Sequence, residues 1–320
     1  MIVTRTVDET REALAKLPRP LGFVPTMGAL HAGHLSLVEA ARARCGAVAA
    51  SVFVNPTQFG AGEDFERYPR DEARDFAMLE ERGVDLVFAP AVAEMYPDGF
   101  ATGVHVRGPL TEHYEGAHRP GHFDGMALIV IKLLGVVRPD LLLMGQKDAQ
   151  QLAVVRRFVR DLDIAVEVVA VPTVREPDGL AMSSRNAYLT REQRAAAPSL
   201  YAALMAGAAA GARPHATAKD VVVAAASTLL MTGPLLGDER PAALRDKAPE
   251  TDTTFHLDYL AIVDPDTFEP QSTIVPGALL IAAARLGAVR LLDNITLGAP
   301  AAPVPDTTIP NAYPAEDATT

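Results

Sequence analysis

Residues 21–34 read LGFVPTMGALHAGH. Leu21–Pro25 is a short apolar run of strand length, and an amphipathic pattern from Gly33 to Arg44 predicts a helix. The turn between them therefore leaves a strand and opens a helix. Such a turn offers free backbone N–H groups to an anion, aided by the helix dipole. Gly28 and Gly33 lack a Cβ and let a ligand approach the backbone closely. His31 and His34 are three apart, so both are predicted to project from one side of the first helical turn. Two imidazoles there can donate hydrogen bonds to a phosphate whose charge rises during in-line attack. The other readings of such a pair are plain helix capping and a zinc site. Zinc needs further ligands, and no second His, Cys or Glu cluster has suitable spacing.

Working outward, apolar runs at Ala47–Val54, Asp85–Ala89, Asp140–Met144 and Ala165–Val171 alternate with helical patterns at Asp71–Arg82, Asp124–Val137 and Ala149–Arg160. Near-continuous apolar strands alternating with helices are what a parallel sheet covered on both faces requires. The fold class is α/β, with a Rossmann-like parallel sheet in an N-terminal domain, residues 1–173. Ligands of such sheets bind beyond the carboxyl ends of the strands.

Beyond Pro172 the composition changes. Arg191–Gly211 and Thr217–Met231 are Ala-rich and helical, and strand-like runs follow at His256–Val263, Ala278–Ala284 and Val289–Leu292. Residues 174–298 are read as a smaller α/β domain acting as a lid, hinged near Val174. Gly233–Thr254 reads as an exposed insertion. The last 22 residues, 299–320, hold five prolines and no Lys or Arg, and are read as a disordered tail.

The formal net charge of -11 repels a phosphodiester backbone, so nucleic acid is not expected as a partner. A single cysteine, Cys45, rules out an internal disulfide and is read as packing. The N-terminus lacks an apolar stretch of signal-peptide length, and no run approaches the ~18 apolar residues of a membrane span. The expected address is the cytoplasm.

Other segments carry chemistry. Met144-Gly145-Gln146-Lys147-Asp148 ends a predicted strand, where the Lys147 ammonium can neutralise phosphate oxygens. Gly179-Leu180-Ala181-Met182-Ser183-Ser184-Arg185-Asn186 lies at the expected domain junction, and its hydroxyls and guanidinium suit the β- and γ-phosphates. Val54-Asn55-Pro56-Thr57-Gln58-Phe59-Gly60 follows the second strand, and Gln58 offers a donor and an acceptor to a hydroxylated substrate. Gln150 and Gln151 open the helix after Lys147. His118, Arg119, His122 and Asp124 lie in a long loop, as a lid or as surface residues.

Together the stretches PTMGALHAGH, SVFVNPTQFGAGEDFERYP, RPGHFDGM, RPDLLLMGQKDAQQL, VPTVREPDGLAMSSRNAYL and RLLDN resemble the pantothenate synthetase (pantoate–β-alanine ligase) family, among the nucleotidyltransferases that share H-x-G-H with class I aminoacyl-tRNA synthetases. The resemblance implies a two-step ligation. The carboxylate of pantoate attacks the α-phosphate of ATP, giving a pantoyl adenylate and pyrophosphate; β-alanine then displaces AMP. It implies that Met27, Gly28, Ala29, Leu30, His31, Ala32, Gly33 and His34 hold ATP, with Gly145, Gln146, Lys147, Asp148, Val174, Met182, Ser183, Ser184 and Arg185. His34 would be the catalytic proton donor, with His31 and Lys147 as further catalytic groups. Gln58 and Gln151 would grip pantoate, and Gln58 would also face β-alanine. Mg²⁺ as cofactor, unassigned metal ligands and a homodimer complete what the resemblance implies. Ala32 departs from the acidic residue common in the family at that position, as do the 233–254 insertion and the tail.

Overall fold

A computed structural model describes residues 1–232, 235–236 and 253–298. The expected tail at 299–320, and the expected insertion at 233–254 apart from residues 235, 236, 253 and 254, lie outside the described residues. The chain divides into two compact units. One comprises Met1–Gln146 and Gln150–Pro172; the other comprises Lys147–Ala149 and the chain from Thr173 onward.

The first unit is built on six parallel strands: β1 (Ile2–Thr4), β2 (Leu21–Thr26), β3 (Ala47–Val52), β4 (Leu86–Phe88), β5 (Leu141–Gly145) and β6 (Glu167–Val171). Their order across the sheet is β1-β4-β3-β2-β5-β6. Every pairing is parallel, and Leu21 to Thr26 run in register with Ala47 to Val52. The Rossmann-like expectation is met. All six residues of β3 are buried, because a parallel strand covered on both faces has no solvent side. The core includes Val24, Val38, Val48, Leu79, Val87 and Leu143.

The chain travels outward from β2 through β3 and β4 on one side and through β5 and β6 on the other. The switch in direction therefore lies between β2 and β5, the position at which such sheets open a ligand crevice. Loops leaving β2, β3 and β5 share that carboxyl edge.

The apolar run at β1 is only Met1-Ile2-Val3, too short to predict a strand, and the helix Val7–Leu14 that follows is likewise not predicted. This strand has three residues, two of them exposed. Its pairing partner Leu86–Phe88 lies more than 80 residues away.

The second unit holds a sheet in the order β10-β9-β8-β7, where β7 is Leu235–Leu236, β8 is Phe255–Val263, β9 is Leu279–Leu286 and β10 is Val289–Thr296. The last three form an antiparallel meander and β7 joins β8 in parallel. Helices Ser199–Gly211 and Ala218–Thr232 supply Leu200, Leu204, Val221 and Leu229 to a core shared with Phe255, Leu280 and Leu291. A Cβ on Gly207 would fall 2.7 Å from Leu280 and 3.1 Å from the Val221 carbonyl, so glycine sets the approach of these elements. This is a smaller α/β unit, as expected.

Candidate active site

The loop after β2 begins with Gly28 at φ 80° and Ala29 at φ 50°. A left-handed alanine is unusual and persists only where surrounding contacts hold it. Asp75 holds it. Its two carboxylate oxygens each accept one backbone hydrogen bond at 2.8 Å, from Ala29 N–H and Leu30 N–H. Asp75 projects from the helix Glu72–Glu81 and is 1% exposed. Burial pushes its carboxyl above the ordinary range, while the two N–H donors pull the other way. Gly28 is required on the protein side: a Cβ there would sit 2.8 Å from Asp75 Oδ2.

The helix Ala32–Arg42 starts one residue earlier than the pattern predicts, with His31 outside it as an extended N-cap at φ -141°. His31 Nδ1 accepts from Gly33 N–H at 3.1 Å, and His34 Nδ1 accepts from His31 N–H at 3.4 Å. The two histidines thus form a reciprocal capping box with imidazoles in place of hydroxyl and carboxylate. Their rings lie 4.1 Å apart, tilted by 39°. A nitrogen that accepts from a backbone N–H carries no proton, so each neutral ring bears its hydrogen on Nε2. Each ring thus offers an Nε2–H donor.

Several N–H groups of this loop are engaged within the protein. Gly28 N–H donates to Thr26 Oγ1 at 3.2 Å, Ala29 and Leu30 donate to Asp75, and His34 and Leu35 donate to the His31 carbonyl at 2.8 and 3.2 Å. With His31 and Gly33 also engaged, most of these backbone donors shape the loop itself.

After β3 the turn Pro56–Gln58 places Gln58 beside this loop. Gln58 is 8% exposed; its Oε1 accepts from Asn55 Nδ2 at 3.0 Å and its Nε2 donates to Met27 Sδ at 3.0 Å. Asn55 is fixed in turn by donation to the Gly125 carbonyl at 3.1 Å and acceptance from Tyr96 Oη at 2.7 Å. Helix His122–Val137 meets the turn at Gly125, where a Cβ would lie 2.0 Å from the Thr57 carbonyl oxygen.

His122 and Arg119, read from the sequence as lid or surface groups, both bond to the Gln58 carbonyl. His122 is buried, its Nδ1 facing the Gln58 carbonyl at 2.9 Å and its Nε2 facing Arg119 Nη1 at 3.1 Å. A carbonyl can only accept and a guanidinium only donate, so His122 is neutral with its proton on Nδ1. Burial, then the Arg119 charge, lowers its pKa to about 4. Arg119 also forks onto Glu63 at 2.8 and 2.7 Å and reaches the Gln58 carbonyl at 3.3 Å. Asp124 instead pairs with His105 at 2.9 Å, and His118 is exposed. Gln150 is spent on the carbonyls of Leu110 and His113, both at 2.9 Å, and on Glu115 N–H at 3.1 Å. Gln151, next to it, is half-buried on the same helix, Ala149–Asp161. Gly145 ends β5, where a Cβ would meet no described atom within 4 Å, and Gln146 is exposed beside it.

In the second unit, Lys147 is partly buried and lies 3.9 Å from the Asp148 carboxylate. Val174 to Met182 forms a hairpin: Arg175 bridges Ala181, and Met182 N–H donates to the Val174 carbonyl at 3.0 Å. Ser183 caps the short turn Ser184–Tyr188 by accepting from Arg185 N–H at 3.3 Å, and Ser184 is buried. Within this unit Val174, Met182 and Ser183–Arg185 thus follow one another through a single hydrogen-bonded element.

The pantoate-beta-alanine ligase family profile matches residues 2–296. A pantothenate synthetase of Chloroflexus aggregans is 53% identical over 298 residues, 92% of this chain and 99% of that protein. The crystal structure of pantothenate synthetase from Thermus thermophilus superposes with a TM-score of 0.82 at 52% identity, covering 92% of this chain and 99% of that one. A pantoate-beta-alanine ligase from Francisella tularensis, crystallised with beta-gamma ATP and beta-alanine, gives a TM-score of 0.72 at 30% identity, covering 92% of this chain and 97% of that one.

Proposed function

The chain belongs to the pantoate-β-alanine ligase family, and from that premise we propose how its own side chains divide the reaction. It is an ATP-dependent ligase that condenses pantoate with β-alanine through a pantoyl adenylate. In the first step a pantoate carboxylate oxygen bonds to the α-phosphorus as the bond to the bridging oxygen breaks, and pyrophosphate leaves. In the second, the β-alanine amine bonds to the acyl carbon, gives up a proton, and AMP leaves with the electron pair of the acyl–oxygen bond.

His31 and His34 donate from Nε2 to the α-phosphate oxygens as negative charge accumulates there. Gln58 holds pantoate and then faces β-alanine, and Gln151 also holds pantoate. In the first unit, Met27 to His34, Gly145 and Gln146 bind ATP. Lys147, Asp148, Val174, Met182, Ser183, Ser184 and Arg185 are the second unit's ATP ligands, on the chemistry of ammonium, hydroxyl and guanidinium toward phosphate. Mg²⁺ enters with ATP as part of the substrate, held chiefly by phosphate oxygens and water. Among the described residues no group of three His, Cys, Asp or Glu side chains could hold it, and both Asp75 oxygens are already bonded to the loop. A cytoplasmic homodimer completes the reading, supported by the family resemblance; no helix among the described residues is long and apolar enough to cross a membrane. Sedimentation at the mass of a single chain would remove the dimer.

One observation carries this reading. The histidine cap and Gln58 lie on loops leaving the neighbouring strands β2 and β3 at one carboxyl edge of the sheet, joined by the Gln58–Met27 hydrogen bond. The test is exchange of labelled pyrophosphate into ATP. Pantoate should be required for exchange, and β-alanine should not. Exchange without pantoate, or none with it, would reject the assignment.

A further inference from the structure

Strand β10 carries the stretch Arg290-Leu291-Leu292-Asp293-Asn294, which belongs to the family likeness but has no part in the two chemical steps above. Its last two residues bind two distant segments of the second unit. Asn294 Nδ2 donates to the Lys147 backbone carbonyl at 2.9 Å, across 147 positions of sequence. Asp293 accepts both terminal nitrogens of Arg175, at 2.6 and 2.9 Å, across 118 positions. Asp293 Oδ1 also accepts from Asn294 N–H at 2.7 Å, so the carboxylate that holds Arg175 also holds the Asn294 backbone.

Arg175 and Asp293 are 8% and 4% exposed. A charge pair this deep needs its remaining donors satisfied. Arg175 Nη1 also donates to the Gly179 carbonyl at 3.1 Å, and Nη2 reaches the Asn294 carbonyl at 3.4 Å. The guanidinium lies 3.8 Å from the centre of the Tyr201 ring. Gly179, at φ 95°, rests on the same ring, since a Cβ there would fall 2.5 Å from a Tyr201 carbon. The far end of the Val174–Met182 hairpin is thereby pinned, and its other end runs directly into Ser183-Ser184-Arg185.

We propose that Asp293 and Asn294 are positioning residues of the ATP site. Asn294 fixes the backbone that carries Lys147, and Asp293 fixes the Arg175 hairpin that carries Val174 and Met182–Arg185. Lysine is a point charge on a flexible four-carbon stem, so its placement depends on how firmly its backbone is held. Preorganised charge avoids reorganisation during the reaction, which is where such anchoring acts on rate and binding. Position 294 needs an amide donor, because an aspartate there would set an oxygen against the Lys147 carbonyl. The proposal rests on the reading of Lys147 and Ser183–Arg185 as ATP ligands.

The experiment compares Asn294→Asp, Asn294→Ala, Lys147→Ala and the Asn294→Ala/Lys147→Ala double variant in the full chain, by pantoate-dependent pyrophosphate exchange. Both Asn294 variants should raise the KM for ATP about fivefold to tenfold, the loss expected of one hydrogen bond. The KM for pantoate should stay within about twofold. The double variant should fall no further than Lys147→Ala alone, because Asn294 acts through Lys147. A loss shared equally by ATP and pantoate marks a merely structural role and overturns the proposal, as do losses that multiply in full. An unchanged KM for ATP in the Asn294 variants, with Lys147→Ala weakening ATP, also overturns it. If Lys147→Ala itself leaves the KM for ATP unchanged, the ligand reading of Lys147 has failed and the inference falls with it.

Discussion

The loop at 27–35 and the hairpin at 174–182 are both held rigid, by opposite means. The first is shaped by hydrogen bonds that run mostly between near neighbours: imidazole to backbone within three residues, with one buried carboxylate, Asp75, from outside. The second depends on a buried ion pair spanning 118 positions and on stacking against Tyr201. A locally closed loop fails piecemeal when one bond is removed. A hairpin pinned by a buried charge fails by leaving that charge alone.

The largest expected effect lies in the second region. Asp293→Ala leaves the Arg175 guanidinium buried without its partner, at a cost of about 3–5 kcal/mol in denaturant unfolding. Replacing both partners by apolar residues, as in Arg175→Met with Asp293→Leu, should recover most of that stability. Failure to recover would show that the pair contributes net stability and would narrow the contrast between the regions.

Protonation supplies the next test, in the first unit. His122 has a pKa lowered to about 4 from 6.5. Above 6.5 neither the folded nor the unfolded chain holds this proton. As pH falls from about 6.5 to 4 the unfolded histidine takes it up while the folded one does not, so stability is lost progressively across that window. Its full extent is about 3 kcal/mol. His122→Asn, which keeps a donor for the Gln58 carbonyl, should remove this slope from denaturant unfolding measured between pH 6.5 and 4.5. An undiminished slope would assign the acid sensitivity elsewhere.

A smaller effect is expected at the carboxylate that closes the loop. Asp75→Asn turns one acceptor into a donor facing a backbone N–H and should cost about 1–3 kcal/mol. It should also lower the exchange rate, since the histidine cap begins directly after the bonded N–H groups. Stability lost with exchange intact would separate Asp75 from the cap. Smallest of all, Arg44→Ala breaks only the exposed pair with Glu167 and should change stability by less than about 1 kcal/mol.

The same contrast explains what was legible in the sequence. The βα unit around His31 and His34 could be read because its signal is local: an apolar run, glycines and two imidazoles inside fourteen residues. Five of the six strands were legible as apolar runs between helical patterns, and β1, three residues with two exposed, was not. Asp75 was invisible as a loop anchor, since an acid in the first turn of a helix ordinarily reads as a dipole contact. Gln150 and Gln151 are adjacent and identical in kind, and only their neighbours reveal that Gln150 is spent on backbone groups. His122 reads as a lid or surface histidine because the carbonyl it serves lies 64 positions upstream. RLLDN could be seen to matter but not why, because its partners lie more than a hundred positions away.

The most direct measurement is pantoate-dependent pyrophosphate exchange by His34→Ala and His34→Gln, with folding checked by thermal unfolding. If His34 works as a neutral Nε2–H donor, His34→Ala loses at least about 100-fold. His34→Gln, whose amide nitrogen approximates Nε2, then recovers about tenfold or more of that loss. Exchange near the wild-type rate in His34→Ala, or a glutamine no better than alanine, would contradict it.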